Sequence, residues 1–275
     1  MSAEHELVIR PDDRVRWSDV ADIWRYRELL WTLAMRDVRV RYKQAALGVA
    51  WALLQPLLQM AVFTVLFHRV AGISADVPVP YPLFCFAGLI VWTLFANGLS
   101  NASDSLVSNA QVVTKVYFPR IVLVLASVMT AVVDFAVGSV LLFVLVLYYR
   151  VPLHASLLWA LPMALLAAFA AAAAGLWTSA INIQFRDVRH ALPFFIQIMI
   201  YATPVFYSTS LLPVRYRTWL ELNPLAAIVD GFRAAWFGTP LPLARVAMAA
   251  AVIVVVAATG FLFFRRMERT FADRV

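Results

Sequence analysis

Six apolar runs, at 45–67, 82–99, 121–149, 157–183, 191–212 and 243–264, leave this chain little choice of solvent. At about 1.5 Å rise per helical residue, a run such as 45–67 is long enough to cross a hydrocarbon core of about 30 Å. Hydrophobic residues make up 63% of the 275 and charged residues only 14%. Too little polar surface remains to solvate a water-soluble fold, so the expectation is an all-α polytopic membrane protein with six transmembrane helices. Cys85, the sole cysteine, falls inside the second run, where it reads as a small buried hydrophobe and makes no intrachain disulfide.

Orientation follows from the cations. Arg36, Arg39, Arg41 and Lys43 form a collar immediately before the first run, and basic residues beside a first span favour the cytoplasmic side. An even number of spans then puts both termini in the cytoplasm. On that topology the inner side holds the nine Lys and Arg before residue 45, then Lys115 and Arg120, Arg186 and Arg189, and Arg265, Arg266, Arg269 and Arg274. Six of the 23 fall outside or at the outer interface: Arg69, Arg150, Arg215, Arg217, Arg233 and Arg245. The net charge of +7 raises nucleic acid as a partner, but these residues flank apolar spans and form no aromatic-interleaved soluble face. Membrane lipid is the expected partner and nucleic acid is not. No short apolar segment with a small-residue cleavage site precedes residue 45, so no removable signal peptide is expected.

Three parts follow: a tail and amphipathic helix at 1–44, a membrane domain at 45–264 and a cytoplasmic tail at 265–275. Within 18–43, Ile23, Trp24, Leu30, Trp31 and Ala34 recur at helical spacing against Arg25, Arg27, Glu28 and Asp37. That pattern fits a helix in the inner interface, or a solvated helix capping a cytoplasmic partner. Residues 100–109 are too polar for lipid and read as a cytoplasmic excursion, continuing to Arg120. The segment 184–190 reads as a shorter cytoplasmic turn. Pro193 and Pro204 interrupt the fifth run, and 213–242 then forms an outer segment. In it Asn223 reads as a helix cap, Pro224 as the first helical residue and Gly238 as the stop. The helix 224–237 is too short to cross. Its Leu225, Ile228, Val229 and Phe232 lie opposite Asp230 and Arg233, which predicts a re-entrant or outer-interface helix.

Chemistry-bearing residues are sparse. His5, His68, His154 and His190 are scattered and show no metal-ligand spacing. Neither lysine, Lys43 or Lys115, ends a Gly-rich phosphate loop, so ATP, if used, belongs to another subunit. Asp134 sits about 20 Å into the third run. It is either a functional carboxylate or one half of an interhelical pair with an Asn or Arg. Gln55 and Gln59 lie one turn apart beside Pro56, where a bend exposes polar groups to a route or merely glues helices. Phe84, Trp92, Phe95, Tyr201, Phe206 and Tyr207 are candidates to line a route for a hydroxyl-rich substrate, or ordinary core and interface aromatics. The small-residue run 167–175 predicts close helix packing.

Several ordered strings resemble the permease subunit of bacterial polysaccharide-export ABC transporters of the O-antigen, capsule and teichoic-acid class. They are Arg36, Asp37, Arg39, Arg41, Tyr42 and Lys43; Leu47, Gly48 and Trp51 with Gln55 and Pro56; Tyr81 with Pro82; Asn109 with Lys115, Tyr117, Phe118, Pro119 and Arg120; Phe185, Arg186, Asp187 and Val188; and Asn223 and Pro224 with Gly231, Phe232 and Arg233. The resemblance implies a homodimer in the bacterial inner membrane, paired with two copies of a cytoplasmic ATPase that binds ATP and magnesium. This chain would hold no cofactor and catalyse no bond change. The implied cargo is a polysaccharide linked to an undecaprenyl pyrophosphate-type lipid. Asp104, Asn109, Lys115, Tyr117, Phe118, Arg120, Arg186 and Asp187 would couple to the ATPase. Asn223, Pro224, Asp230, Phe232 and Arg233 would form the outer gate. At the inner entrance Arg36, Arg39, Arg41 and Lys43 have two readings: an anchor on anionic lipid headgroups, favoured for most of these charges, and a guide for the pyrophosphate of a lipid-linked substrate. Other readings are an ABC permease for a small drug, an ion-coupled carrier using Asp134, and a membrane-embedded transferase. The last lacks converging acid, base or metal groups.

Overall fold

The computed structural model describes residues 24–43, 50–70, 79–116, 118–185, 187–209, 213–268 and 271, and among these the regular secondary structure is all helical. Helix α1 covers Arg27–Lys43, α2 covers Ala50–Phe63, α3 Tyr81–Ser108, α4 Ala110–Lys115, α5 Ile121–Tyr148, α6 Ala160–Gln184, α7 Val188–Ala202, α8 Val214–Glu221, α9 Pro224–Phe237 and α10 Leu243–Glu268. A short 3₁₀ turn at Ala155–Trp159 leads into α6.

Among the described residues, four helical segments are long and apolar enough to cross a membrane: Tyr81–Ser108, Ile121–Tyr148, Ala155–Gln184 and Leu243–Glu268. The other two predicted crossings are shorter apolar helices within Leu53–Phe67 and Val188–Ala202. Each carries a local irregularity in its described part. Helix α2 contains Pro56 and passes at Thr64–Val70 into a π-helix, which rises less per residue. Helix α7 has 15 residues, about 22 Å, and stops where Thr203 precedes Pro204. The proline ring excludes the helical conformation from the residue before it, and Thr203 is extended at φ −113, ψ 136.

Helix α3 is the axis of the bundle. It packs chiefly against α6 and α5, and 78% of its most apolar window is buried, against 22–39% for the other three. Those three therefore keep a face for lipid: Val140, Val144 and Leu147 on α5, and Val252, Val255 and Leu262 on α10, are all exposed. The α3–α6 seam depends on missing side chains. A Cβ on Gly175 would fall 2.5 Å from Cβ of Ala102, and one on Gly98 would fall 2.9 Å from Cβ of Ala171. The small-residue run on α6 thus does what its composition predicts, bringing two backbones together where apolar burial gives helices no reason to leave lipid.

The polar stretch 100–109 is helical as far as Ser108 and continuous with the second predicted span. Its hydroxyls bond to their own backbone, Ser105 Oγ to the Ala102 carbonyl at 2.7 Å and Ser108 Oγ to the Asp104 carbonyl at 2.8 Å. Asn182 of α6 donates to the Ser103 carbonyl at 3.0 Å and to Asp104 Oδ1 at 3.1 Å. Polarity along this stretch accompanies helix contacts. Helix α10 likewise continues past residue 265, to Glu268.

Candidate functional site

The two ends of the bundle are braced by charged side chains that sequence separation conceals. At the end holding α4, Arg36 of α1 donates from Nη2 to Asn109 Oδ1 at 2.7 Å while pairing with Asp37 at 2.8 Å. Asn109 interrupts the helix between α3 and α4, and its Nδ2 donates to the Ser105 carbonyl at 2.8 Å. Eleven residues on, the Arg120 backbone N–H donates to Glu268 Oε1 at 3.0 Å, and its guanidinium donates to the Glu268 carbonyl. Arg265 holds the other carboxylate oxygen at 2.8 Å, and Arg120 lies 5.8 Å from the Phe271 ring centroid. The segment leading into α5 is therefore fastened both to α1 and to the last turn of α10. Phe118 is buried with it, whereas Lys115 and Asp187 are exposed. Tyr117 and Arg186 lie outside the described residues.

Further along α5, Asp134 meets the last turn of α1. Arg41 Nη2 is 3.1 Å from Asp134 Oδ2, and the Tyr42 hydroxyl donates to Oδ1. Of the sequence alternatives for Asp134, the structure presents the interhelical pair with an arginine. Burial, and after it the Asp134 acceptor, push the Tyr42 phenol above its ordinary range, against the smaller downward pull of Arg41. Tyr42 is therefore a lasting donor at neutral pH. Helix α1 packs along α5, so its apolar side, with Leu33 and Ala34 buried, faces the protein. Trp24 and Trp31 remain exposed, as an interfacial helix requires. The collar is thus divided: Arg39 and Lys43 are exposed, while Arg36 and Arg41 are engaged by Asp37, Asn109 and Asp134.

The opposite end is built around Arg233. Its side chain, 5% exposed, donates from Nε to the Phe84 carbonyl at 3.1 Å, from Nη1 to the Pro204 carbonyl at 2.6 Å and from Nη2 to the Val205 carbonyl. The guanidinium carbon also stands 3.6 Å from the Phe84 ring centroid, a cation–π contact. This corrects the expectation that Arg233 faces away from the apolar stripe of its helix: nearly the whole of α9 is buried, and the arginine with it. The reason is the non-helical backbone after α7. Five successive carbonyls there each find a donor. Asn223 Nδ2 reaches Ala202 at 3.1 Å, the Val205 N–H reaches Thr203 at 2.6 Å, Arg233 takes Pro204 and Val205, and the Tyr81 hydroxyl takes Phe206 at 2.8 Å. Irregular backbone away from water persists only when so satisfied.

Gly88 makes room for this arrangement, since a Cβ there would sit 2.3 Å from Arg233 Nη2 and 3.0 Å from the Val205 carbonyl. Gly88→Ala is expected to displace the guanidinium and reduce the yield of folded protein on size-exclusion chromatography, at a cost of about 1–3 kcal/mol. Arg150→Ala, at an exposed position, serves as the neutral reference.

Helix α9 begins and ends as its sequence predicts. The Asn223 side chain accepts from the Leu225 N–H at 3.0 Å, Pro224 is the first helical residue, and Gly238 turns left-handed at φ 69. Asp230, one turn before Arg233, lies 3.9 Å from its Nη1 and 3.0 Å from Arg245 Nη2 on α10. Phe232 is buried edge-on to Phe135 of α5, with centroids 5.7 Å apart.

The candidate route residues separate by exposure. Phe84, Trp92, Phe95 and Phe206 are buried within this chain, and Phe206 stacks on Phe63 at 3.5 Å between centroids. Tyr201 is exposed, and Tyr207 donates to its carbonyl at 2.8 Å. Gln55 is exposed, while the Oε1 of Gln59 is buried with no hydrogen-bond donor among the described residues. Sequence reading passed over Tyr42, Asn182, Arg245 and Glu268. Only Arg265 with Glu268, an i,i+3 pair, left a local signal; the others depend on tertiary contacts across 15 to 92 residues.

A helical bundle with several long apolar helices and a short, buried helix at one end is the architecture of an integral membrane protein. Residues 28–237 match the family model described as ABC-2 type transporter, and the chain belongs to that family. It is 30% identical over 261 residues to the O-antigen export system permease protein RfbA of Myxococcus xanthus, covering 93% of this chain and 98% of that one. A protein of the same name from Klebsiella pneumoniae is 26% identical over 248 residues, covering 90% and 94%. The polysialic acid transport protein KpsM of Escherichia coli is 22% identical over 221 residues, covering 72% and 77%.

Proposed function

We propose that this chain is the permease subunit of an ATP-driven polysaccharide exporter in the bacterial inner membrane. The observation that carries the reading is near full-length similarity to permeases named for O-antigen export, within a transporter family. In this account α2 and α7, with their flanking residues, complete six crossings and both termini are cytoplasmic. Two copies form the channel, two copies of a separate ATPase bind ATP and magnesium, and the cargo is a lipid-linked glycan of the undecaprenyl pyrophosphate type. This chain transports and changes no bond.

The bracing suggests how force is passed on. Closure of the ATPases presses on the segment 109–120. That segment is fastened to α1 through Asn109 and to α10 through Glu268, and α1 is fastened to α5 through Asp134. A push at one end therefore moves three helices together. At the other end Arg233 ties α9 to α3 and to the segment after α7, so opening there requires its contacts to be exchanged. Co-expression with a candidate ABC ATPase from the same organism tests the reading. A stable complex of two permeases and two ATPases, with ATP hydrolysis raised by the permease, is expected. A permease that purifies alone and leaves hydrolysis unchanged contradicts it.

A further inference from the structure

Beside Asp230 and Arg233 lies a cavity of about 200 Å³, whose lining includes Thr209, Thr239 and Arg245. One water occupies about 10–15 Å³ on this measure, so the space accepts a polyatomic group and not only a trapped solvent molecule. It lies at the end of α10 opposite Glu268, about 35 Å away along the helix. On the charge-based topology this is the outer end. Cations are scarce there, yet three of the six assigned to that side gather at this one place. Arg233 and Arg245 line the cavity, and Arg217 donates from Nε to the carbonyl of its Thr209 at 3.0 Å. Asp230, the one acidic residue lining it, is shared between Arg233 and Arg245. The local balance is positive in a place where solvent screening is weak.

The three arginines differ in what they can offer. Arg233 is committed to carbonyl oxygens that the backbone after α7 cannot do without. Arg245 is 28% exposed, and its hydrogen bond among the described residues runs from Nη2 to Asp230. A guanidinium presents several donors in a planar fork, and that fork matches the paired oxygens of a phosphate. Two threonine-containing segments border the same space and supply hydroxyls. We infer that this cavity is a binding site for a phosphate-type anion at the outer end of the bundle, gripped by Arg245, with Asp230 as an internal competitor for the same guanidinium. The inference rests on the outer placement of this end and not on the nature of the exported cargo. The anion is either the headgroup of an outer-leaflet lipid or a soluble phosphate.

The full-length chain in nanodiscs separates the two sources. Inorganic pyrophosphate is titrated calorimetrically into phosphatidylcholine discs, and native mass spectrometry measures retention of phosphatidylglycerol from mixed discs. Binding of at least one probe is expected to weaken tenfold or more in Arg245→Gln and to fall by less in Arg245→Lys, which keeps charge but loses the fork. Asp230→Asn is expected to tighten binding severalfold, a gain that loss of folding cannot imitate. Arg150→Gln, outside the cavity, is expected to match the unsubstituted chain. Dependence on Arg245 for pyrophosphate alone identifies a soluble anion, and for phosphatidylglycerol alone a lipid headgroup. Absence of binding by both probes, equal binding in Arg245→Gln, or weaker binding in folded Asp230→Asn overturns the site.

Discussion

Arg233→Gln is expected to abolish surface export and to lower the folded yield sharply, the largest effect of any single substitution in this chain. Three backbone carbonyls, those of Phe84, Pro204 and Val205, depend on the one guanidinium, and Asp230 loses a neighbouring cation with it. Leaving a buried acceptor without a donor costs about 1–3 kcal/mol, and stranding a buried charge costs about 3–5 kcal/mol. Glutamine carries one amide and no charge, so it replaces at most a part of this set. Arg233→Lys tests whether charge alone suffices. A compact ammonium does not span three carbonyls in the guanidinium's fixed plane, so lysine is expected to recover less than a tenth of export. The check is fluorescence-detected size exclusion after heating, alongside surface glycan blots. Wild-type stability and export in the lysine variant would show that the fork geometry is not required.

The second large effect is expected at Asp134, and its signature is non-additivity. Arg41 and Tyr42 converge on this carboxylate from a helix 92 residues earlier. Asp134→Asn leaves Arg41 without its counter-charge, and Arg41→Gln leaves Asp134 without one. Each single variant is expected to lose about 1–3 kcal/mol of stability and at least tenfold in export. Because the second substitution removes a charge already stranded by the first, the double variant is expected to regain much of the loss, with a coupling energy of about 0.5–3 kcal/mol. Export tracked with stability across the four proteins would assign the pair to bracing α1 against α5. A proton-coupled carrier predicts a different pattern, in which Asp134→Asn stops transport at full stability and Arg41→Gln does not rescue it.

How much of this was legible beforehand depends on the range over which each signal acts. The caps of α9 are local chemistry, and Asn223, Pro224 and Gly238 announced them correctly. The small-residue run on α6 announced close packing, and Gly175 against Ala102 is that packing. Polarity along 100–109 did not report secondary structure, since the stretch is helical to Ser108 and its hydroxyls bond their own backbone. Polarity misled at Arg233, because amphipathic spacing assumes that a charge seeks water. Here the charge seeks the carbonyls of Pro204 and Val205, which lie 20 and 19 residues before α9 begins, and no periodicity reports them. The aromatic candidates show the same limit. Phe84, Trp92 and Tyr201 look alike in sequence, yet the first two are buried and the third is exposed, which only packing decides.

The account's central claim is that this chain forms the path by which an ATP-driven machine moves a lipid-linked glycan outward. Its most direct test is the distribution of that glycan across the inner membrane in cells lacking this chain, compared with cells whose partner ATPase binds but does not hydrolyse ATP. In both, surface glycan is expected to disappear and completed lipid-linked polymer to accumulate on the cytoplasmic face; in the cells lacking this chain, the intact chain restores export and Arg233→Gln does not. Undiminished surface glycan in either strain would contradict it.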